Sequence, residues 1–202
     1  MATKPGERRL QILQTLAEML EAPKGEKITT ATLASRLACS EAALYRHFAS
    51  KAQMFEGLIE FIEQSLFSVI NQITSEESEG LKQIELIIAL LLRFAQRNRG
   101  MTRVLIGDAL VNEHERLQTR INALLDKIEA AMKQALRIAA TQENLKPDAD
   151  FGALANLLRC YAVGRWEQYA RSGFSREPLA QWSQQWPMLY FACLSQSGAP
   201  GA

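Results

Sequence analysis

The feature that most constrains this chain is a short stretch near its start, residues 40–51, which reads SEAALYRHFASK. Ser40 can accept a hydrogen bond from the backbone of the following turn, and Glu41 suits the positive end of a helix dipole. Leu44 and Phe48 lie four residues apart, so both can anchor one face of a helix in a core. The stretch predicts a helix of about eight residues that begins at Glu41.

A second short helix is predicted just before it. Thr29 and Thr30 can cap a helix that runs to Leu37. Residues 38–40 then form a turn of the length that sets two helices at a steep angle in a helix-turn-helix, whose second helix enters the DNA major groove. Residues 50–53 match the S-x-x-Q capping box and predict the start of the next helix. The pattern therefore favours DNA recognition.

The whole region resembles a known family. Residues 28–62, ITTATLASRLACSEAALYRHFASKAQMFEGLIEFI, look like the DNA-binding domain of TetR-type regulators, and the ending YRHFASK is its most specific part. The family usually has Gly in the turn where this chain has Ala38, which costs up to about 1 kcal/mol if φ is positive there. The resemblance implies an all-α fold, with an N-terminal three-helix helix-turn-helix domain at 1–52 and a C-terminal helical dimerisation domain at 53–202.

The resemblance also implies roles for individual residues. The first turn of the recognition helix would read base edges, while Tyr45, His47 and Lys51 would hold phosphates, which position the protein without choosing the sequence. The alternative for each is an ordinary surface residue of a small helical domain. The full set of predicted DNA-binding residues is Thr29, Thr30, Ser40, Glu41, Ala42, Ala43, Tyr45, Arg46, His47 and Lys51.

Charge and composition fit this interpretation. The first 52 residues hold eight Lys or Arg against five Glu, although the whole chain has a net charge of only +1. Because this basic excess is modest, affinity would have to combine phosphate contacts with direct readout and two copies of the domain. The three cysteines are scattered and predict buried, reduced thiols. With no apolar run of about 18 residues, we expect a cytoplasmic protein that contacts no membrane.

A long helix predicted over 51–73, here called the connector helix, joins the two predicted domains. Its residue Phe61 has two possible roles. Phe61 and Met54 fall on a flank away from the main apolar stripe. They could pack against a neighbouring helix, or Phe61 could belong to a groove for a peptide, because an exposed Phe is costly unless something covers it. The next predicted helix, 81–98, is apolar nearly all round and ends in arginines, which suit either the helix dipole or an acidic partner or DNA phosphate.

The last part of the chain is rich in aromatic residues. Nine of the fifteen aromatics lie in residues 150–202, including all three Trp. Two helices are predicted there, one capped by Asp148 or Asp150 and one that begins at Leu179, and they resemble the four-helix dimer interface of TetR-type proteins. A two-fold homodimer would place its recognition helices about one DNA turn apart on a palindromic site.

An enzyme is not indicated. Residues 114–118 begin like the H-E-x-x-H motif of metalloproteases, but Gln118 stands where the second zinc ligand is needed. The sequence has neither a Gly-rich phosphate loop nor a G-x-S-x-G motif. It therefore predicts no catalytic residues, no metal and no cofactor.

Two non-enzymatic functions remain, a repressor released by a small ligand in its C-terminal core and a DNA-bound protein that acts on another protein. The runs RNRGMTRVLIGDAL and RLQTRINALLDKIEAAMKQALR are similar to those of the nucleoid occlusion factors within the TetR-type family. That resemblance implies a nucleoid-associated dimer, alone or with several dimers on one site, which binds the C-terminal tail of the tubulin-like protein FtsZ when on DNA and blocks septum assembly.

The resemblance further implies a groove for that tail. The matching residues of this chain are Phe61, Leu90, Arg97 and Asn98. Two groove positions differ from the family, because Val69 replaces an Arg and Arg93 replaces a Gly. The positive charge is thereby moved from the connector helix to the next helix.

Overall fold

The computed structural model describes residues 5–22, 28–142, 145 and 149–194, and within these the chain is helical with no strand. The predicted all-α fold is thus confirmed. None of the described helices is both long and apolar enough to cross a bilayer. The α-helices are α1 (Pro5–Leu20), α2 (Thr30–Arg36), α3 (Glu41–Tyr45), α4 (Lys51–Glu76), α5 (Gly80–Arg97), α6 (Arg99–Leu105), α7 (Glu115–Thr141), α8 (Phe151–Arg171) and α9 (Trp182–Leu194).

The long helices follow the apolar periodicity closely, whereas the short ones differ from prediction. The recognition helix α3 has five residues, not about eight. The sequence of residues 101–111 predicts one short helix, but α6 ends at Leu105 and a 3-10 helix follows at Asp108–Leu110. Gly107 separates the two with a φ of +80°, a left-handed conformation that interrupts a right-handed helix. The last helix begins at Trp182, three residues after the predicted start.

Contacts divide the chain into two compact units. The first combines Met1–Gln64 with Asn98–Asn122, and the second combines Ser65–Arg97 with Ala123–Ala202. The first unit contains α1, α2, α3 and α6, and the second contains α5, α8 and α9. The functional boundary between residues 52 and 53 stays a prediction.

The core of the first unit is built from the apolar faces of its helices, with Ile12, Leu16, Leu33, Leu44, Phe48, Phe55, Leu58 and Ile62 almost fully buried. Met54 is also fully buried, so of the two residues off the connector stripe only Phe61 retains exposed surface. Helix α6 packs very closely on α1, because a β-carbon on Gly100 would lie 1.9 Å from the carbonyl oxygen of Ala17. Only glycine fits at this crossing.

The second unit is held by buried polar contacts as well as by apolar packing. The indole nitrogen of Trp166 donates to the carbonyl oxygen of Leu91 at 3.1 Å, and the hydroxyl of Tyr169 donates to that of Gln96 at 3.1 Å. Both aromatic side chains are almost fully buried, so each hydrogen bond satisfies a group that would otherwise be costly to bury. These contacts fix α8 against α5.

The three cysteines differ in environment. Cys193 is buried, and this burial raises the pKa of its thiol to about 11. Cys39 is half-buried, whereas Cys160 is exposed on α8. The prediction of three buried thiols is therefore wrong for Cys160, which follows the charged Arg159 and has its side chain on an exposed face of α8.

Candidate nucleic-acid interface

The recognition helix α3 is anchored from behind and capped at its start. Leu44 is fully buried and Phe48 is 2% exposed, so the i,i+4 pair ties this segment to the core. The Ser40 hydroxyl accepts a hydrogen bond from the backbone N–H of Ala43 at 3.2 Å, as the sequence predicts. The first turn of α3 is therefore fixed in position, and its outer face is exposed to solvent.

The turn between α2 and α3 has the conformation that the family usually gives to glycine. Ala38 has a φ of +49°. Its backbone N–H donates to the carbonyl oxygen of Ser35 at 3.1 Å, and the N–H of Cys39 donates to that of Ala34 at 3.0 Å. These two bonds satisfy the end of α2 and hold Ala38 in the left-handed region despite its β-carbon.

The start of α2 lies beside the recognition helix and shares hydrogen bonds with it. Thr29 caps α2 through a reciprocal pair of contacts with Thr32. The hydroxyl of Thr30 donates to the Glu41 carboxylate at 2.5 Å and is 3.5 Å from the hydroxyl of Tyr45. Three predicted DNA-binding residues are thus brought together, and the carboxylate of Glu41 has a defined position before any ligand arrives.

The predicted residues together form a largely solvent-facing surface. Ser40, Glu41, Ala42, Tyr45 and Arg46 are exposed. The remaining members are half-buried, which leaves part of each accessible; they are Thr29, Thr30, Ala43, His47 and Lys51. The hydroxyls, the guanidinium and the ammonium of this surface can donate to phosphates, and the Glu41 carboxylate can accept from an amino group at a base edge.

One supporting residue was missed from the sequence. Arg9 lies in α1, yet its guanidinium donates to the carbonyl oxygen of His47 at 2.6 Å and stacks over the ring of Phe48 at 4.2 Å. The apolar stripe of residues 8–21 predicts a first helix that includes Arg9, but no local pattern shows which groups its guanidinium contacts. In the structure Arg9 fixes the C-terminal end of the recognition segment.

The start of α4 presents Lys51. The Ser50 hydroxyl accepts from the backbone N–H of Gln53 at 3.2 Å, while the Gln53 side chain accepts from the N–H of Ala49 at 2.8 Å, one residue earlier than in a standard capping box. The Lys51 ammonium forms an ion pair with Glu113, which lies just before α7. Glu113 was not predicted, because 62 residues separate it from Lys51 and no local pattern links them.

The four predicted tail-binding residues fall in both units. Phe61 is half-buried on α4, and Asn98 is the half-buried N-cap residue of α6; both belong to the first unit. Leu90 is half-buried on α5, and Arg97 is exposed at the end of that helix; both belong to the second. Each therefore has surface available for a partner.

Known proteins match this chain along most of its length. The family model "Bacterial regulatory proteins, tetR family" matches residues 16–58, and the SlmA-like model "Tetracyclin repressor-like, C-terminal domain" matches residues 78–193. "Nucleoid occlusion factor SlmA" from Alteromonas mediterranea is 51% identical over 185 residues, which cover 92% of this chain and 95% of that protein. The protein of the same name from Marinomonas sp. is 50% identical and covers 94% of this chain and 96% of its own.

Solved structures agree on the fold. A TetR transcription regulator from Haloarcula marismortui has a TM-score of 0.78 at 16% identity, and the match covers 94% of this chain and all of that one. FadR from Bacillus subtilis, solved with stearoyl-CoA, has a TM-score of 0.75 at 12% identity over 90% of this chain and 97% of its own. Identities this low show the fold alone. Together with the full-length relatives and the helix-turn-helix geometry, they establish that the chain belongs to the TetR family of bacterial regulatory proteins and, within it, to the SlmA-type nucleoid occlusion factors.

Proposed function

We propose that this protein is a DNA-binding homodimer that acts in nucleoid occlusion in the cytoplasm, on the chromosome itself. The observation that carries the proposal is the identity of about one half to nucleoid occlusion factors over more than nine-tenths of both chains. A match of that extent includes the recognition helix, the connector α4 and the C-terminal helices together. A DNA-binding regulator of this kind does not belong to an enzyme class.

On DNA, α3 enters the major groove with its first turn toward the base edges. Ser40, Glu41 and the two alanines that follow offer one hydroxyl, one carboxylate and two methyl groups. A carboxylate accepts from the amino group of cytosine, and methyl groups suit thymine. Tyr45, His47 and Lys51 bind phosphates, and Arg46 with the threonines at the start of α2 complete the interface.

The homodimer forms through α8 and α9. Helix α8 has an exposed row at i, i+4, i+7 and i+11 made of Ala153, Leu157, Cys160 and Gly164. Helix α9 exposes Met188 and Phe191 by 69% and 68%, with Tyr190 and Leu194 beside them. Small residues allow two helices to approach closely and large apolar ones need cover, so a second copy is the natural occupant. Two recognition helices then read a palindrome, bound by one dimer or several.

Once on DNA, the dimer binds the C-terminal tail of FtsZ and blocks septum assembly over the chromosome. Phe61 and Leu90 supply apolar contact, while Arg97 and Asn98 supply a cation and an amide for the tail. Val69 is exposed where the resemblance implies an Arg, and Arg93 is exposed on α5 where it implies a Gly. The cation of Arg93 takes over the charge that Val69 lacks.

The test is fluorescence anisotropy of a labelled FtsZ tail peptide, titrated with the protein with and without a palindromic duplex selected from its own genome. We expect the tail to bind and to bind more tightly when the duplex is present. Absence of tail binding in both states, with intact DNA binding, would instead favour a repressor released by a small ligand in its C-terminal core.

The Phe61→Ala variant sharpens this test. Because Phe61 is a large aromatic at the proposed contact, its truncation should weaken tail binding by at least about tenfold while DNA affinity stays unchanged. Phe67→Ala is the matched control, since Phe67 is also a half-buried Phe of α4. Equal losses in the two variants, or a parallel loss of DNA binding, would remove Phe61 from the tail site.

A further inference from the structure

The ion pair between Lys51 and Glu113 sits at the DNA-facing end of α4. The side chain of Lys51 is 25% exposed and that of Glu113 is 19% exposed. Each partner is held in place: Lys51 is the first residue of α4, and its ammonium lies 5.7 Å from the ring centroid of Phe55. The backbone N–H of Glu113 donates to the carbonyl oxygen of Leu110 at 2.9 Å. The fold therefore holds the Glu113 carboxylate against the Lys51 ammonium before any other anion can approach it.

The polarity of this pair differs from that of its neighbours. Farther along α4, Glu56 pairs with Arg116 of α7 at 2.7 Å, and Glu63 lies 3.9 Å from Arg120 of α7, whereas Glu113 lies just before α7. In both cases the carboxylate is on α4 and the cation is on α7. At Lys51 the arrangement is reversed, which places the cation on the helix that starts beside α3. Alignment of α4 with α7 alone would not require the reversal.

We infer that Glu113 tunes DNA binding by competing with phosphate for Lys51. The inference rests on the proposed role of Lys51 as a phosphate ligand. A lone lysine that neutralises a phosphate releases counterions from DNA, which makes binding dependent on salt. The Lys51–Glu113 pair carries no net charge, so its contact with a phosphate releases fewer counterions. Glu113 thus lowers both the affinity and the salt dependence, and it keeps the protein from binding any duplex through charge alone.

The experiment measures dissociation constants for a labelled palindromic duplex over a series of salt concentrations, with the full-length dimer. Glu113→Gln removes the charge and keeps the shape of the side chain. It should bind about two- to fivefold more tightly, the range expected for one partly exposed ion pair. The slope of log K against log salt should steepen by up to about 0.9, the value for one additional neutralised phosphate.

Two further variants make the test specific. Glu63→Gln removes the same charge at a site about 18 Å along α4 from Lys51, beyond the Debye length of about 10 Å at 0.1 M salt, so affinity and slope should stay unchanged. Lys51→Ala should weaken binding to all sequences alike and flatten the slope. In the Lys51→Ala background, Glu113→Gln should have no effect on DNA affinity, because the ammonium for which Glu113 and phosphate compete is absent.

The outcomes separate this inference from the proposed function. If Lys51→Ala leaves DNA binding unchanged, the phosphate role fails and the inference falls with it. If Lys51→Ala weakens binding but Glu113→Gln does not strengthen it, or strengthens it equally without Lys51, only the inference is overturned. A lower melting temperature for Glu113→Gln with unchanged DNA affinity would likewise overturn the inference, because Glu113 would then only stabilise the fold.

Discussion

Ala38 has an unfavourable backbone conformation in the turn between α2 and the recognition helix α3. Its φ of +49° lies in the left-handed region, where a β-carbon crowds the backbone. The cost is tolerated because hydrogen bonds on both sides and the buried Leu44 and Phe48 fix the angle between α2 and α3. Strain held by surrounding packing is common where a surface must be presented in one orientation.

Replacing this residue with glycine should stabilise the protein. We expect Ala38→Gly to raise the free energy of unfolding by about 0.5–1 kcal/mol, since glycine avoids the crowding but gains freedom in the unfolded chain. Urea unfolding followed by circular dichroism, at one fixed protein concentration, measures the change. Ala130→Gly is the control: Ala130 is exposed in α7, and the same substitution there should cost about 1 kcal/mol. Losses of similar size in both variants would contradict strain at Ala38.

At the scale of the element, the contact between α1 and α6 depends on the absence of a side chain. The hypothetical β-carbon of Gly100 would lie 1.9 Å from the Ala17 carbonyl oxygen and 3.1 Å from the β-carbon of Leu20. A backbone oxygen cannot move aside as the end of a flexible side chain can. Separation of the two helices is therefore the only way to admit a methyl group.

The corresponding prediction concerns Gly100→Ala. It should lower the free energy of unfolding by about 1–3 kcal/mol, the usual cost of overpacking, and weaken DNA binding, because α1 carries Arg9. Differential scanning calorimetry and DNA titration measure the two effects. Gly6→Ala is the control, because a β-carbon on Gly6, also in α1, would meet nothing within 4 Å. An unchanged stability for Gly100→Ala would contradict the close approach.

Helices with a long apolar repeat could be predicted from the sequence. For helices without one, the first and last residues could not be predicted. The apolar stripe from Leu117 to Leu136 extends over more than five turns and predicts a helix over 115–140, and α7 ends only one residue later. Helix α6 was misplaced because its end depends on the conformation of Gly107, which no repeat reveals. Local capping at Ser40 was predictable as well. The partners of Lys51 and His47 were not, because Glu113 and Arg9 reach them only through tertiary packing.

At the scale of the whole molecule, the proposed dimer can be tested by placing a charged side chain in its interface. Phe191→Glu places a carboxylate on the exposed apolar row of α9 and should convert the dimer to a monomer, with a large loss of affinity for a palindromic duplex. Light scattering coupled to gel filtration measures the mass, and circular dichroism checks that the helices remain.

Val111→Glu supplies a closely matched control for that experiment. Val111 is exposed by 68%, the same fraction as Phe191, but it belongs to the first unit, whereas α8 and α9 belong to the second. This variant should remain a dimer. A dimeric Phe191→Glu protein, or a monomeric Val111→Glu protein, would place the interface elsewhere.

The division of the first unit between two distant stretches of sequence bears on how such proteins can exchange specificity. A gene fragment that stops after residue 64 would encode the recognition helix without α6, and the faces of Ala17 and Leu20 that contact Gly100 would meet water. A single crossover after residue 64 therefore cannot transfer the whole first unit. Transfer of this unit without residues 65–97 needs two exchanged segments, the second covering residues 98–122.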